Sequence, residues 1–261
     1  MPRPIFDGSY HAGSAFDGAE ALPILERLLA PTTPRSTKLA KEVVAFYGED
    51  FLLSVRQYFG PCDFQVYYAP PDKVHIQLNL QTCKDPSTVV HELLHGDLIR
   101  QGFPWLAYRE GEANNEHIRV MNFLHHAIML PQFQKFGFTR DQFLTPSKPN
   151  QPDSYRAFFE PDSNRPHWPL EWLSGWLEDQ FLGNSRHTDY MQKYWSDFQE
   201  VAPSIDRISD DVKAWFSRPD YIHPDNFEQA YNELVTLIEV PIPSPDRWYR
   251  LKREDGRLIR Y

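Results

Sequence analysis

The chain has 261 residues, 41% of them hydrophobic, enough to bury one sizeable core or two modest ones, which argues against a mini-domain stapled by a metal ion. Against 36 Asp and Glu stand 27 Lys and Arg, and the net charge of −9 argues against a nucleic-acid backbone or an anionic membrane as the main partner. Cys62 and Cys83 are too few for a disulfide scaffold, Met1–Gly13 carries no apolar run, and no later stretch approaches the roughly 18 apolar residues of a membrane span, so the expectation is a soluble cytoplasmic protein.

The first sixty residues read as helical. Ala21–Ala30 forms one apolar-rich helix, and Ser36–Phe59 forms one or two more through Leu39, Val43, Phe46, Leu52 and Val55, with a break at Gly48. Two short strands follow, Phe64–Ala69 and Lys73–Leu80, separated by Pro70 and Pro71. In the second, Val74, Ile76, Leu78 and Leu80 alternate with His75, Gln77 and Asn79, the pattern of a half-buried or edge strand. The next helix is punctuated at both ends. Asp85 is a natural N-cap, Pro86 suits the first helical position, and Gly102 and Pro104 stop the helix after Arg100. Between them Val89, Val90, Leu93, Leu94, Leu98 and Ile99 supply an apolar face, which predicts a helix over Pro86–Gln101.

A further helix falls within Glu110–Leu130. From about Thr145 to Pro169 the chain is rich in Pro, Ser and Asp and reads as a linker. Beyond it Tyr190, Met191, Tyr194, Trp195 and Phe198 recur at helical spacing, followed by helices at Ile205–Phe216 and Phe227–Ile238. The tail, Arg247–Tyr261, reads as a hairpin turning at Asp255 and Gly256. The expected organisation is an α+β domain over residues 1–142, a linker over 143–168 and a mostly helical region over 169–261.

The segment that carries chemistry is HELLH, His91 to His95. Residues four apart on a helix share a face, so His91 and His95 can present two imidazoles to one metal ion. Glu92 then stands at the rim, where its carboxylate can take a proton from a metal-bound water and pass it to a leaving amine. Zinc suits imidazole ligands and a position left open for water.

The longer segment TVVHELLHGDL resembles the active-site helix of the zincin metallopeptidases. That resemblance implies a zincin-like core, Zn2+ held by His91 and His95, Glu92 as the general base, and a peptide or protein substrate. It also implies Lys73–Leu80 as a strand that aligns the substrate by main-chain hydrogen bonds, with an ordinary internal strand as the alternative.

The metzincin extension is excluded, because Leu98 and Gln101 occupy the places of its glycine and third histidine. The gluzincin arrangement asks for a glutamate on the next helix, and Glu110, Glu112 and Glu116 are available in REGEANNEH. The length of the loop decides among them. A helix starting at Pro104 selects Glu110, one starting near Ala107 selects Glu112, and one starting at Glu110 selects Glu116; a helix capped by Asn114 brings His125 or His126 into range. Glu116, in an Asn-Glu pair, is similar to the thermolysin-type ligand, although Val120 replaces the acid expected four residues later. Glu110, followed by Ala113 and Asn114, is similar to the pattern of ImmA/IrrE-type proteases. The expected order is Glu116, then Glu112 and Glu110, then His126.

The remaining features have plain readings. Trp168, Trp172 and Trp176, four residues apart, form a docking stripe. His117, His125, His126 and Tyr108 are available to bind substrate beside a metal. The basic tail reads as a solvated surface, and the helical C-terminal region as a place for a protein partner. Two competing functions are a zinc hydrolase of small non-protein amides and a non-enzymatic module in which zinc orders a binding surface.

Overall fold

The computed structural model describes residues 15–56, 64–69, 73–79, 86–107, 115–143, 199, 205–238, 247–255 and 257–260. The expected linker, the Trp168 to Trp176 stripe and the helix around Tyr190–Phe198 lie outside the described residues, apart from Phe143 at the start of the linker. The class is α+β, and the described residues fall into two compact units that interleave along the chain.

The first unit opens with the short strand β1 (Ala15–Asp17) and helix α1 (Gly18–Leu29). Asp17 caps α1, its carboxylate accepting from the backbone N–H of Ala19 at 3.0 Å and of Glu20 at 3.2 Å. Helix α2 (Pro34–Tyr47) starts on a proline at its first turn and buries Leu39, Ala40, Val43, Val44 and Tyr47, one stripe at three- and four-residue spacing. It stops at Gly48, whose φ of +58° is open to glycine at no steric cost.

Beyond Gly48 the chain departs from its predicted path. The helix expected as far as Phe59 ends at Tyr47, and Phe51–Arg56 is a strand, β2. Six residues of a mostly apolar run have no period that separates a buried strand from a buried helix, and long-range pairing decides. Strands β3 (Phe64–Ala69) and β4 (Lys73–Asn79) complete a four-stranded sheet of order β1-β2-β4-β3. β4 pairs parallel with β2 and antiparallel with β3. Positions 74 and 76 of β4 stand in register with Phe51 and Leu53, both wholly buried. With a partner on each side, β4, expected to align a substrate over Lys73–Leu80, is an internal strand, and among the described strands β3 occupies the edge of this sheet.

Helix α3 (Pro86–Arg100) has the bounds its punctuation predicts to within a residue, and Gly102, at φ +91°, ends it. It buries residues on every side, from Val89 and Val90 through His95, Asp97 and Ile99. Helix α4 (Asn115–Lys135) begins directly after Asn114, and from Met129 onward it belongs to the first unit. The tail hairpin, β7 (Leu251–Glu254) and β8 (Arg257–Arg260), turns at Asp255 as predicted and also belongs to this unit. Its Arg253 donates to the carbonyls of Ala45 and Phe46 at the end of α2, and Arg250 donates to the Gly102 carbonyl at the end of α3.

The second unit holds the earlier part of α4, a two-stranded ribbon and two helices that pack on each other. The ribbon pairs β5 (Trp105–Ala107) with β6 (Arg247–Tyr249). Helices α5 (Ile205–Phe216) and α6 (Phe227–Ile238) have the predicted bounds. Trp215 of α5 donates its indole N–H to Glu233 of α6 at 3.1 Å. No described helix is long and apolar enough to cross a membrane.

Candidate metal centre

Two consecutive helices of the chain carry the site. On α3, His91 and His95 stand four residues apart, and their rings meet edge-on with centroids 5.1 Å apart. On α4, His126 stands three residues before Met129, less than one helical turn from the stretch that packs in the first unit. That stretch is tied to α3 by aromatic rings. Phe133 of α4 meets Phe143 edge-on at 5.0 Å, and Phe143 meets His91 at 4.7 Å.

The result is that one ligand atom from each of His91, His95 and His126 lies within 4.8 Å of the other two. His95 and His126 are buried and His91 half-buried. A tetrahedral zinc site with Zn–N bonds of about 2.0–2.1 Å needs nitrogens about 3.4 Å apart, within the spread of these three atoms. Three imidazole nitrogen donors fit a divalent transition metal far better than a hard oxygen-seeking cation. These three residues are close enough to bind a metal ion.

The predicted third ligands divide as follows. His126 is with the pair. Glu110 and Glu112 lie outside the described residues. Glu116 is in the first turn of α4, ten residues before His126 and roughly 15 Å further along the helix axis.

His125, next to His126, faces differently. It is wholly buried and its ring meets Phe227 of α6 at 5.4 Å within the second unit. Burial, with a smaller contribution from the neighbouring His126, pulls its pKa from 6.5 down to about 3, so it is a neutral core histidine. His117 lies on α4 without a described side chain, and Tyr108 lies outside the described residues.

Glu92 is half-buried, one residue along from His91, and loss of solvent pushes its carboxyl from 4.5 up to about 8. Behind it, α3 is fixed against α2. The Tyr47 hydroxyl donates to the Gly96 carbonyl at 2.9 Å, and burial, reinforced by Asp97, raises its pKa far enough that it stays a donor. A Cβ at Gly96 would stand 3.2 Å from Val43, so the missing side chain lets the two helices approach closely. Asp97 accepts from Arg100 at 2.7 Å and from Gln101 at 2.6 Å, and Arg100 also reaches Glu42 of α2. Sequence reasoning passed over Tyr47 and Phe143, since neither stands in a motif, and gave no role to Gly96 within TVVHELLHGDL.

Comparison with protein-family models, with curated proteins and with solved structures found no match.

Proposed function

We propose that the chain is a zinc-dependent hydrolase that cleaves peptide bonds, with His91, His95 and His126 as the metal ligands and Glu92 as the general base. The supporting observation is the convergence of the HELLH pair with a third imidazole from the following helix. This ligand set replaces the glutamate of the gluzincin arrangement, and Glu116 has no part in it. Zinc held by three neutral imidazoles would keep both positive charges and supply Lewis acidity together with a water whose pKa falls to about 7.

The chain's own residues do the rest. His91 and His95 are spaced by the helix so that both donors face one point, and His126 closes the set from α4. Glu92, at about 8 without a cation, is brought down by positive charge on its neighbours toward the near-neutral value that suits a general base. Its place beside His91 lets it accept a proton from the attacking water and return it to the leaving amine. Among the described strands β3, which packs beside α3, stands at the edge of its sheet, the place where an extended peptide would add by main-chain hydrogen bonds.

Elemental analysis of protein purified without chelators should find about one zinc per chain. Structural zinc sites bind with roughly 10–16 kcal/mol shared among four ligands, so His126→Ala should weaken binding by about a hundredfold or more, while Glu116→Ala should bind as the wild type does. Glu92→Gln should keep its zinc and lose peptide hydrolysis by about 10²- to 10⁴-fold. A wild-type chain that holds no transition metal and takes up none would sink the whole reading. Undiminished turnover in Glu92→Gln would remove the general base alone.

A further inference from the structure

A metal-ligating imidazole must hold one ring orientation, and proteins achieve this by contacts on the side of the ring away from the ion. At His91 one ring contact is aromatic. Phe143, almost fully buried, lies with its ring centre 4.7 Å from that of His91 and its plane tilted by 48°. Phe143 is itself wedged from behind. Its ring meets Phe133 of α4 edge-on, and Phe133 stacks on Phe138 at 5.0 Å with planes 30° apart.

The chain reaches this position through a short, well-defined turn. Gly137, at φ +92°, follows the end of α4, and Arg140–Gln142 form one turn of 3-10 helix. Thr139 and Gln142 cap that turn reciprocally: the Thr139 backbone N–H donates to the Gln142 side chain at 2.9 Å, and the Gln142 backbone N–H donates back to the Thr139 carbonyl at 3.1 Å. The Phe143 N–H then donates to the Arg140 carbonyl at 3.1 Å, which fixes where its side chain starts. Every step of the turn narrows the freedom of one ring, and that ring rests on His91.

We propose that Phe143 is a positioning residue for the metal centre: its flat ring holds the His91 imidazole toward His95 and His126. The proposal rests on the metal-centre reading above. A ring face limits rotation about the last side-chain bond of His91, whereas a branched aliphatic of similar bulk leaves that rotation freer. Loss of the ring therefore acts on metal affinity and coordination geometry.

The test is a set of zinc affinities by competition with a chromophoric chelator, with the visible spectrum of the cobalt-substituted protein as the geometric readout and far-UV circular dichroism as the control for folding. Phe143→Leu should bind zinc about tenfold more weakly, in the range seen when outer-shell partners of ligands are removed, and its cobalt bands should shift. Phe143→Tyr, which keeps the ring, should recover most of the affinity. Gln142→Ala, an exposed change that loosens only the turn, should weaken binding in the same direction by a smaller factor. A folded Phe143→Leu with wild-type affinity and spectrum overturns the proposal, as does an equal loss in Phe143→Tyr; should Phe143→Leu fail to fold, an unchanged Gln142→Ala overturns it. Wild-type protein that binds neither zinc nor cobalt overturns the metal centre and this proposal together.

Discussion

Helices α3 and α6 belong to different units and solve different problems. α6 buries Phe227, Ala230, Tyr231, Leu234 and Ile238 along one stripe and turns Gln229, Asn232 and Thr236 to solvent, so its position follows from apolar burial alone. α3 is enclosed on all sides and carries His91, Glu92, His95 and Asp97 inside that enclosure. Burying ionisable groups costs free energy unless each is paired, neutralised or set to work. Asp97 is paired with Arg100 and Gln101, and Tyr47 holds the backbone at Gly96. The contrast separates a helix that closes a core with apolar side chains from one that carries ionisable groups into it, two of them close enough to His126 to bind a metal ion with it.

The comparison is sharpened most by Leu234→Ala. Leu234 is wholly buried in α6, and truncation should cost about 2–5 kcal/mol of unfolding free energy in chemical denaturation while leaving the zinc affinity of the folded protein unchanged. A parallel fall in metal affinity would break the division between the two helices.

A smaller effect separates the buried titratable groups by pH. In metal-free protein, His125 binds a proton in the unfolded chain but not in the folded one between about pH 6.5 and 3, so stability should rise with pH across that window. Glu92 binds a proton in the folded chain but not in the unfolded one between about pH 4.5 and 8, so its contribution falls as pH rises. Each slope is at most about 1.4 kcal/mol per pH unit. Together they should give stability that climbs from about pH 3 to 4.5, is level to about 6.5 and declines to about 8. Denaturation midpoints measured across this range should lose the declining limb in Glu92→Gln, and added zinc should reduce it in the wild type. A midpoint that keeps declining above pH 6.5 in Glu92→Gln would assign that limb to another group.

Much of the fold could be read along the chain wherever a local rule was sufficient. Pro86 and Gly102 bracket α3, α5 and α6 follow from their apolar spacing, and Asp255 turns the tail hairpin, because caps, periodicity and turn chemistry act over a few residues. Phe51–Arg56 was misread as helix because its short apolar run has no decisive period, and β4 proved internal because its neighbours are chosen by pairing across the chain.

The site divides in the same way. HELLH on a well-bounded helix specified His91, His95 and Glu92 as a unit, since helical geometry alone puts them on adjoining faces. The sequence also held His126 among several candidates, and its approach to His91 and His95 depends on the path of α4, whose Met129–Lys135 stretch belongs to the first unit. The Phe143 contact with His91 left no trace in any motif, because it joins residues 52 positions apart through a turn whose direction only the folded core sets. Local sequence determines what a segment can be, and tertiary packing determines which groups meet, because the free energy that selects among meetings is shared by the whole core.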